Sequence, residues 1–217
     1  MMTATNPPTT LLFVRHGETD ANVSGTWQGA TDSPLNARGR AQAQALARRL
    51  ARESYDIRAI YSSPLSRAHM TARIIAETLD HPTIHLEPAL AEFDLGEWEG
   101  LTYEELRHEK RLWERMGADP TFAPPGGESA VAFATRLLQG TQAIVRRHAG
   151  ETVVVVSHGG AIATALAMLL ERDGSAWPRY QVTNCALTEV VFATEPRLVR
   201  FNDSKHLEQI GALGKWT

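Results

Sequence analysis

The sequence predicts an α/β protein, a three-layer αβα sandwich around a mainly parallel sheet. Two observations lead there. Short continuous apolar runs alternate with longer segments whose apolar residues recur at helical spacing, which is the pattern of strands joined by helical crossovers. Three of those runs also end in polar residues, and in open α/β sheets ligands bind outside the carboxyl ends of the strands.

Residues 1–10 (MMTATNPPTT) carry neither a basic region nor an apolar run. They are therefore no signal peptide and read as a flexible leader. Leu11, Leu12, Phe13 and Val14 form the first buried strand. Asp32, Ser33 and Pro34 offer an N-cap and an N1 proline to a helix carrying Ala43, Leu46, Ala47 and Leu50. Residues 59–63 read as a second strand. Ser63 and Pro64 are expected to start the next helix, with a stripe of Leu65, Ala68, Ala72, Ile75 and Leu79. Helical patterns resume at about 102–116 and 128–148, the latter closed by Gly150. Residues 152–160 (TVVVVSHGG) read as a third strand running into a helix from about 161 to 170, and ALTEVVF and RLVRF as two further strands. The Pro/Gly-rich stretch 117–127 is too short for a domain linker. The reading is one domain over 11–217, with 94–127 a partly helical excursion over the active site.

The chain has 217 residues, 43% of them hydrophobic and 22% charged, with a net charge of −3. That is an ordinary globular composition, and it argues against a nucleic-acid binder or a polybasic membrane surface. The sole cysteine, Cys185, excludes an intrachain disulfide and a four-thiolate zinc site. The apolar runs are too short to span a bilayer, and a reducing cytoplasm is the expected location.

The polar residues at the strand ends carry the chemistry. The first strand delivers Arg15 and His16, the second is followed by Arg67, and the third delivers His158 with Gly159 and Gly160 opening a helix. Two arginines and two helix N-termini directed at one crevice make an anion site, because guanidinium forks, backbone N–H groups and helix dipoles all favour phosphate oxygens. Each residue alone reads as structural: Arg67 as a solvated helix residue, His158 as a hydrogen-bonded strand-end histidine. Their shared edge with His16 argues otherwise. Arg107, Arg111 and Arg115, interleaved with glutamates, read as ion pairing on a solvated helix face.

The blocks RHGET with Asn22 following, QGATDSPLNARG, SSPLSRA, AEFDLGEWEG and VVSHGG occur in that order. Together they resemble the histidine phosphatase superfamily, which includes the phosphoglycerate mutases, across about residues 11–207. The resemblance implies that His16 is a nucleophile forming a phosphohistidine. It implies further that Arg15, Arg67 and His158 hold the phosphoryl oxygens with Asn22 assisting, and that Gln28 and Gly29 sit at the pocket rim, with Gly159 also at the phosphate. Glu92 matches the general acid/base, ahead of Glu97, Glu99 and Asp94 nearby. No cofactor or metal is implied. The expected partner is a small phosphorylated substrate, not nucleic acid or membrane, and the oligomeric state stays open, a homodimer included.

One departure stands out. Many relatives carry an arginine shortly before the QG segment, where this chain reads GTWQG with Thr26 and Trp27. Trp27, Phe93, Trp98, Trp113 and Phe122 are candidates for a more apolar pocket wall, or else core aromatics. The prompt run from Glu92 into LGEWEGLTYEEL is more similar to the phosphatase branch than to the mutases, so phosphomonoester hydrolysis is the preferred reading and phosphoglycerate mutase-type transfer the alternative. A metal-dependent hydrolase built on His16, His158 and Glu92 is opposed by the adjacent arginines. A non-catalytic phospho-ligand binder is opposed by retention of both nucleophile and acid.

Overall fold

The computed structural model describes residues 7–53, 55–81 and 83–210. Among the described residues six strands form one sheet: β1 (Thr9–Arg15), β2 (Ile57–Ser62), β3 (Ile84–Leu86), β4 (Thr152–Ser157), β5 (Leu187–Phe192) and β6 (Pro196–Asp203), in the spatial order β3-β2-β4-β1-β5-β6. The first four pair in parallel, whereas β5 is antiparallel to β1 and β6 to β5. Of these six, β5 alone runs in reverse, so the mainly parallel sheet is a mixed one. Arg15 lies opposite Ser157, and Ser62 opposite Val156. That register brings the ends of β1, β2 and β4 to a common edge.

The described residues form six α-helices: α1 (Asp20–Ser24), α2 (Ala37–Arg52), α3 (Ser66–Thr78), α4 (Leu112–Ala118), α5 (Ala130–Arg147) and α6 (Gly159–Leu170). Side chains alternate along a strand, so the run LLFV supplies both layers. Leu12 and Val14 pack with Leu46 and Leu50 of α2 and Ala72 and Ile75 of α3. Leu11 and Phe13 pack with Ile144 of α5 and with Ile162 and Leu166 of α6. A strand covered on both faces has no polar alternation to show. The 94–127 excursion brings its own cluster, in which Leu95, Trp98, Leu106 and Leu112 seat on Phe133 and Leu137 of α5 and on Ala161 and Ala165 of α6.

Several boundaries differ from the expectation. β1 begins at Thr9, inside the stretch read as leader, and residues 1–6 lie outside the described residues. The cap of α2 is Asn36, whose side chain accepts from Gly39 N at 2.8 Å. Asp32 instead accepts from the backbone N–H of Ser66 at 2.8 Å and from its hydroxyl at 2.7 Å, so it caps α3 from another part of the chain. α3 accordingly starts at Ser66 rather than Ser63. The expected helix at 102–116 is broken: a π-helical turn (Glu105–Glu109) ends before Arg111, whose φ of 51° is left-handed, and α4 follows. Ion pairing on this surface is present in Arg111–Glu114, and His108 Nε2 lies 3.0 Å from Glu104 Oε2. Arg115, however, lies over the rings of Trp98 and Phe122. β3 was not anticipated, being three largely exposed residues at the sheet edge. Among the described residues no helix is long and apolar enough to cross a membrane.

The chain leaving β1 crosses the first turn of α2 at two glycines. A Cβ on Gly17 would lie 2.4 Å from Gly39 O, and one on Gly39 would lie 2.1 Å from Glu18 O. Gly39→Ala is therefore expected to cost about 1–3 kcal/mol of stability through forced backbone displacement. The measurement is the urea midpoint at unchanged slope. An unshifted midpoint would show that the crossing opens without strain.

Candidate active site

His16 follows β1 directly and is 3% exposed. Its Nδ1 lies 2.7 Å from Gly17 O. A carbonyl oxygen accepts and never donates, so Nδ1 carries the proton and Nε2 keeps its lone pair. The backbone here is pinned from two sides: Asn184 Nδ2 donates to His16 O at 2.9 Å, and Gly17 N donates to Thr71 Oγ1 at 3.0 Å. Burial, then the charges of Arg15 and Arg67, push the imidazole well below its ordinary pKa, with the bond to Gly17 opposing. His16 is thus neutral at physiological pH.

Two buried guanidinium groups flank it. Arg15 Nη1 donates to Val182 O at 2.9 Å, and Gly159 packs on the guanidinium so closely that a Cβ there would lie 3.3 Å from Arg15 Cζ. Burial pulls Arg15 down to about 10, while Glu92 raises it and Arg67 lowers it, so it remains a cation at neutral pH. Arg67, in the first turn of α3, is 1% exposed. Its Nη1 donates to Thr31 O at 2.7 Å, its Nη2 to Gly29 O at 2.8 Å, and its Nε to His158 Nδ1 at 3.2 Å. Because His158 Nδ1 accepts, the proton sits on Nε2, which donates to Ser63 Oγ at 2.8 Å. His158 is fully buried, and its ring lies 5.2 Å from that of His16. Burial foremost, then Arg67, His16, Arg15 and Arg136, hold it well below the usual histidine range.

Glu92 reaches the same crevice from the loop after β3. Its Oε1 accepts from Phe93 N and its Oε2 from Gly160 N, both at 2.9 Å, so the carboxylate sits on the N-terminus of α6. A Cβ on Gly160 would lie 2.7 Å from Glu92 Oε1, and a side chain there would drive the carboxylate out. The loop itself is tied by Arg136 on α5, which donates to Ala89 O at 3.0 Å and to Ala91 O and Glu92 O at 2.8 Å. Glu128 in turn accepts from Arg136 Nε at 2.9 Å and from Asp94 N at 3.0 Å. Two of the neighbouring carboxylates are committed elsewhere. Asp94 accepts from Gly96 N at 2.9 Å, and Glu99 accepts from Ala30 N at 2.6 Å and from Thr31 Oγ1.

These groups border a cleft of about 630 Å³ whose wall includes Arg15, His16, Asn22, Gln28, Gly29, Arg67, Glu92, Gly159 and Gly160. Every site residue expected from the sequence except His158 lines it. His158 lies behind Arg67, with its ring nitrogens bonded to Arg67 and Ser63. Asn22 Oδ1 accepts from Thr19 N at 3.1 Å and from Asn184 Nδ2 at 3.2 Å, and Gln28 Oε1 accepts from Ser33 Oγ. Of the two helix N-termini expected at the crevice, α6 presents its glycines there, whereas Ser66 N of α3 is taken by Asp32. Of the five aromatics considered for the wall, Trp27 borders the cleft, together with Tyr103 and Trp177, which the sequence did not single out. Phe93, Trp98, Trp113 and Phe122 pack in the excursion's core. Asn184, Thr71, Arg136 and Glu128 were also missed, because their partners are distant in the chain and no local pattern marks them.

A neutral buried imidazole between two buried cations, facing a carboxylate held on a helix N-terminus, defines a phosphoryl-transfer enzyme of the histidine-nucleophile class. The family profile of the histidine phosphatase superfamily (branch 1) matches residues 11–204, and the chain belongs to that superfamily. The metal-independent phosphoserine phosphatase of Arabidopsis thaliana is 34% identical over 209 residues, covering 94% of this chain and 86% of that protein. Phosphoserine phosphatase 1 of Hydrogenobacter thermophilus is 34% identical over 203 residues, covering 91% and 93%. The crystal structure of the Entamoeba histolytica phosphoserine phosphatase in complex with 3-phosphoglyceric acid superposes with a TM-score of 0.80 at 34% identity, covering 92% of this chain and 99% of that one.

Proposed function

We propose that this protein hydrolyses small phosphomonoesters in the cytoplasm, without a metal, through a phosphohistidine on His16. The observation that carries the reading is the Nδ1–Gly17 O bond, which leaves the Nε2 lone pair for the phosphorus between two buried arginines. In the first step Nε2 bonds to phosphorus, the ester P–O bond breaks, and protonated Glu92 gives its proton to the departing oxygen. In the second, Glu92 takes a proton from water as its oxygen bonds to phosphorus and the P–N bond breaks, releasing phosphate. Arg15, Arg67, Asn22 and the backbone at Gly159 meet the three equatorial oxygens, where transition-state charge is spread. Gln28 and Gly29 form the rim. His158 acts through Arg67, fixing the guanidinium plane by accepting from its Nε.

The metal alternative fits the geometry poorly. The His158 Nδ1 lone pair meets the Arg67 Nε–H and its Nε2 carries a proton, so neither nitrogen can ligate in this arrangement. Activity is expected to survive EDTA in full, and rapid quench during turnover is expected to trap a phosphoryl group on His16 that is stable in alkali and lost in acid. Activity abolished by EDTA and restored by zinc, or no trapped phosphohistidine under saturating substrate, would sink the proposal. Isomerisation of 3-phosphoglycerate outpacing phosphate release, with 2,3-bisphosphoglycerate present, would make the protein a mutase.

A further inference from the structure

Beyond the phosphate pocket the cleft changes character. Its outer wall is made of Thr26, Trp27, Tyr103, Trp177, Gln181 and Val182. Among the described residues no lysine or arginine other than Arg15 and Arg67 lines the cleft, and no carboxylate other than Glu92. The aromatics come from three separate segments. The rings of Trp27 and Tyr103 lie near parallel, 6.4 Å apart with 13° between their planes, and Trp113 packs behind both at 5.5 and 4.7 Å. This backing fixes two ring positions before any ligand arrives. Trp177 enters from the helical turn Gly174–Tyr180, whose first residues are tied by Asp173 accepting from Ser175 N at 2.9 Å.

We infer that the outer cleft is a subsite for an uncharged ring, so that the preferred substrates are phosphomonoesters of ring-bearing primary alcohols, such as nucleoside 5′-phosphates and hexose 6-phosphates. The inference rests on the phosphatase reading above. Aromatic faces stack on planar rings and on the apolar faces of sugars, while the amides of Gln28 and Gln181 and the hydroxyl of Thr26 supply hydrogen bonds to ring substituents. A carboxylate on the leaving alcohol finds no counterion in this outer wall. Taking such a charge from water into this wall costs free energy with no compensating pair.

The comparison is clean because phosphoserine, glucose 6-phosphate and adenosine 5′-phosphate are all esters of primary alcohols. Their leaving groups are similar, and differences in kcat/KM report the outer cleft. Adenosine 5′-phosphate and glucose 6-phosphate are expected to exceed phosphoserine and 3-phosphoglycerate by about tenfold or more, the size of one aromatic stacking contact. Trp177→Ala and, separately, Tyr103→Leu are expected to reduce the ratio of kcat/KM for adenosine 5′-phosphate over that for ethyl phosphate about tenfold, chiefly through KM. Phosphoserine or 3-phosphoglycerate as the best substrate would overturn the inference, as would variants that lower both members of the ratio equally. Wild-type protein inactive on all five esters would instead defeat the phosphatase reading.

Discussion

Replacement of His16 by alanine is expected to lower kcat/KM at least about 10⁴-fold for every phosphomonoester, the scale on which loss of a nucleophile acts in covalent catalysis. The expectation follows from the absence of a substitute. Cys185, the sole thiol, is buried with its pKa pushed up by that burial, and His158 Nδ1 is engaged by Arg67. A loss below tenfold would transfer the chemistry elsewhere. The variant also carries a second readout, which a merely misfolded protein would not give. Folding depresses the pKa of His16 below its ordinary value near 6.5. The unfolded chain therefore binds a proton below about pH 6.5 that the folded chain refuses, so stability present above 6.5 is lost as pH falls toward the folded value. Each such histidine contributes a slope of up to about 1.4 kcal/mol per pH unit in that window. His16→Ala removes one of these slopes, and its urea midpoint is expected to fall less than the wild type's between pH 6.5 and 5.5. The same neutrality means that wild-type kcat/KM should show no acid limb near 6.5 attributable to the nucleophile.

Much of this site was legible because its residues follow apolar runs immediately. His16 and His158 each stand one residue beyond a strand, and a continuous apolar run marks both strands. What such runs leave open is register. That the ends of β1, β2 and β4 share an edge depends on the pairing of Arg15 with Ser157 and of Ser62 with Val156, which no single segment encodes. Asp32 illustrates the same limit in capping. Its chemistry was recognised, but a carboxylate accepts from whichever N–H the fold delivers, and here that is Ser66 rather than the adjacent helix. Arg136 left no trace at all, because its acceptors are loop carbonyls whose sequence is immaterial. The aromatics were visible as a type and left unsorted between wall and core: a ring reads alike whether it borders the cleft, as Trp27 does, or fills the excursion's core, as Phe93 does.

Glu92→Gln separates acid catalysis from scaffolding in a way that alanine would not. Both carboxylate oxygens accept from a backbone N–H, at Phe93 and at Gly160. A glutamine keeps one oxygen and turns an NH2 toward the other donor, so the variant forfeits a hydrogen bond and is expected to lose about 1–3 kcal/mol of stability. That cost is blind to the substrate. The chemical cost is not. An alkyl phosphate departs as a strongly basic alkoxide unless it is protonated, whereas 4-nitrophenolate leaves unaided, so general acid catalysis matters for the first and little for the second. Turnover of ethyl phosphate is expected to fall about 10²–10⁴-fold, with 4-nitrophenyl phosphate reduced far less. Equal losses on both esters would make Glu92 a structural strut on the N-terminus of α6. Arg136→Lys provides the positioning counterpart. A lysine lacks the planar fork that reaches three carbonyls and Glu128 at once, so the loop bearing Glu92 loosens while the carboxyl group itself is retained. The same leaving-group selectivity should then appear in weaker form, and a loss uniform across leaving groups would confine Arg136 to stability.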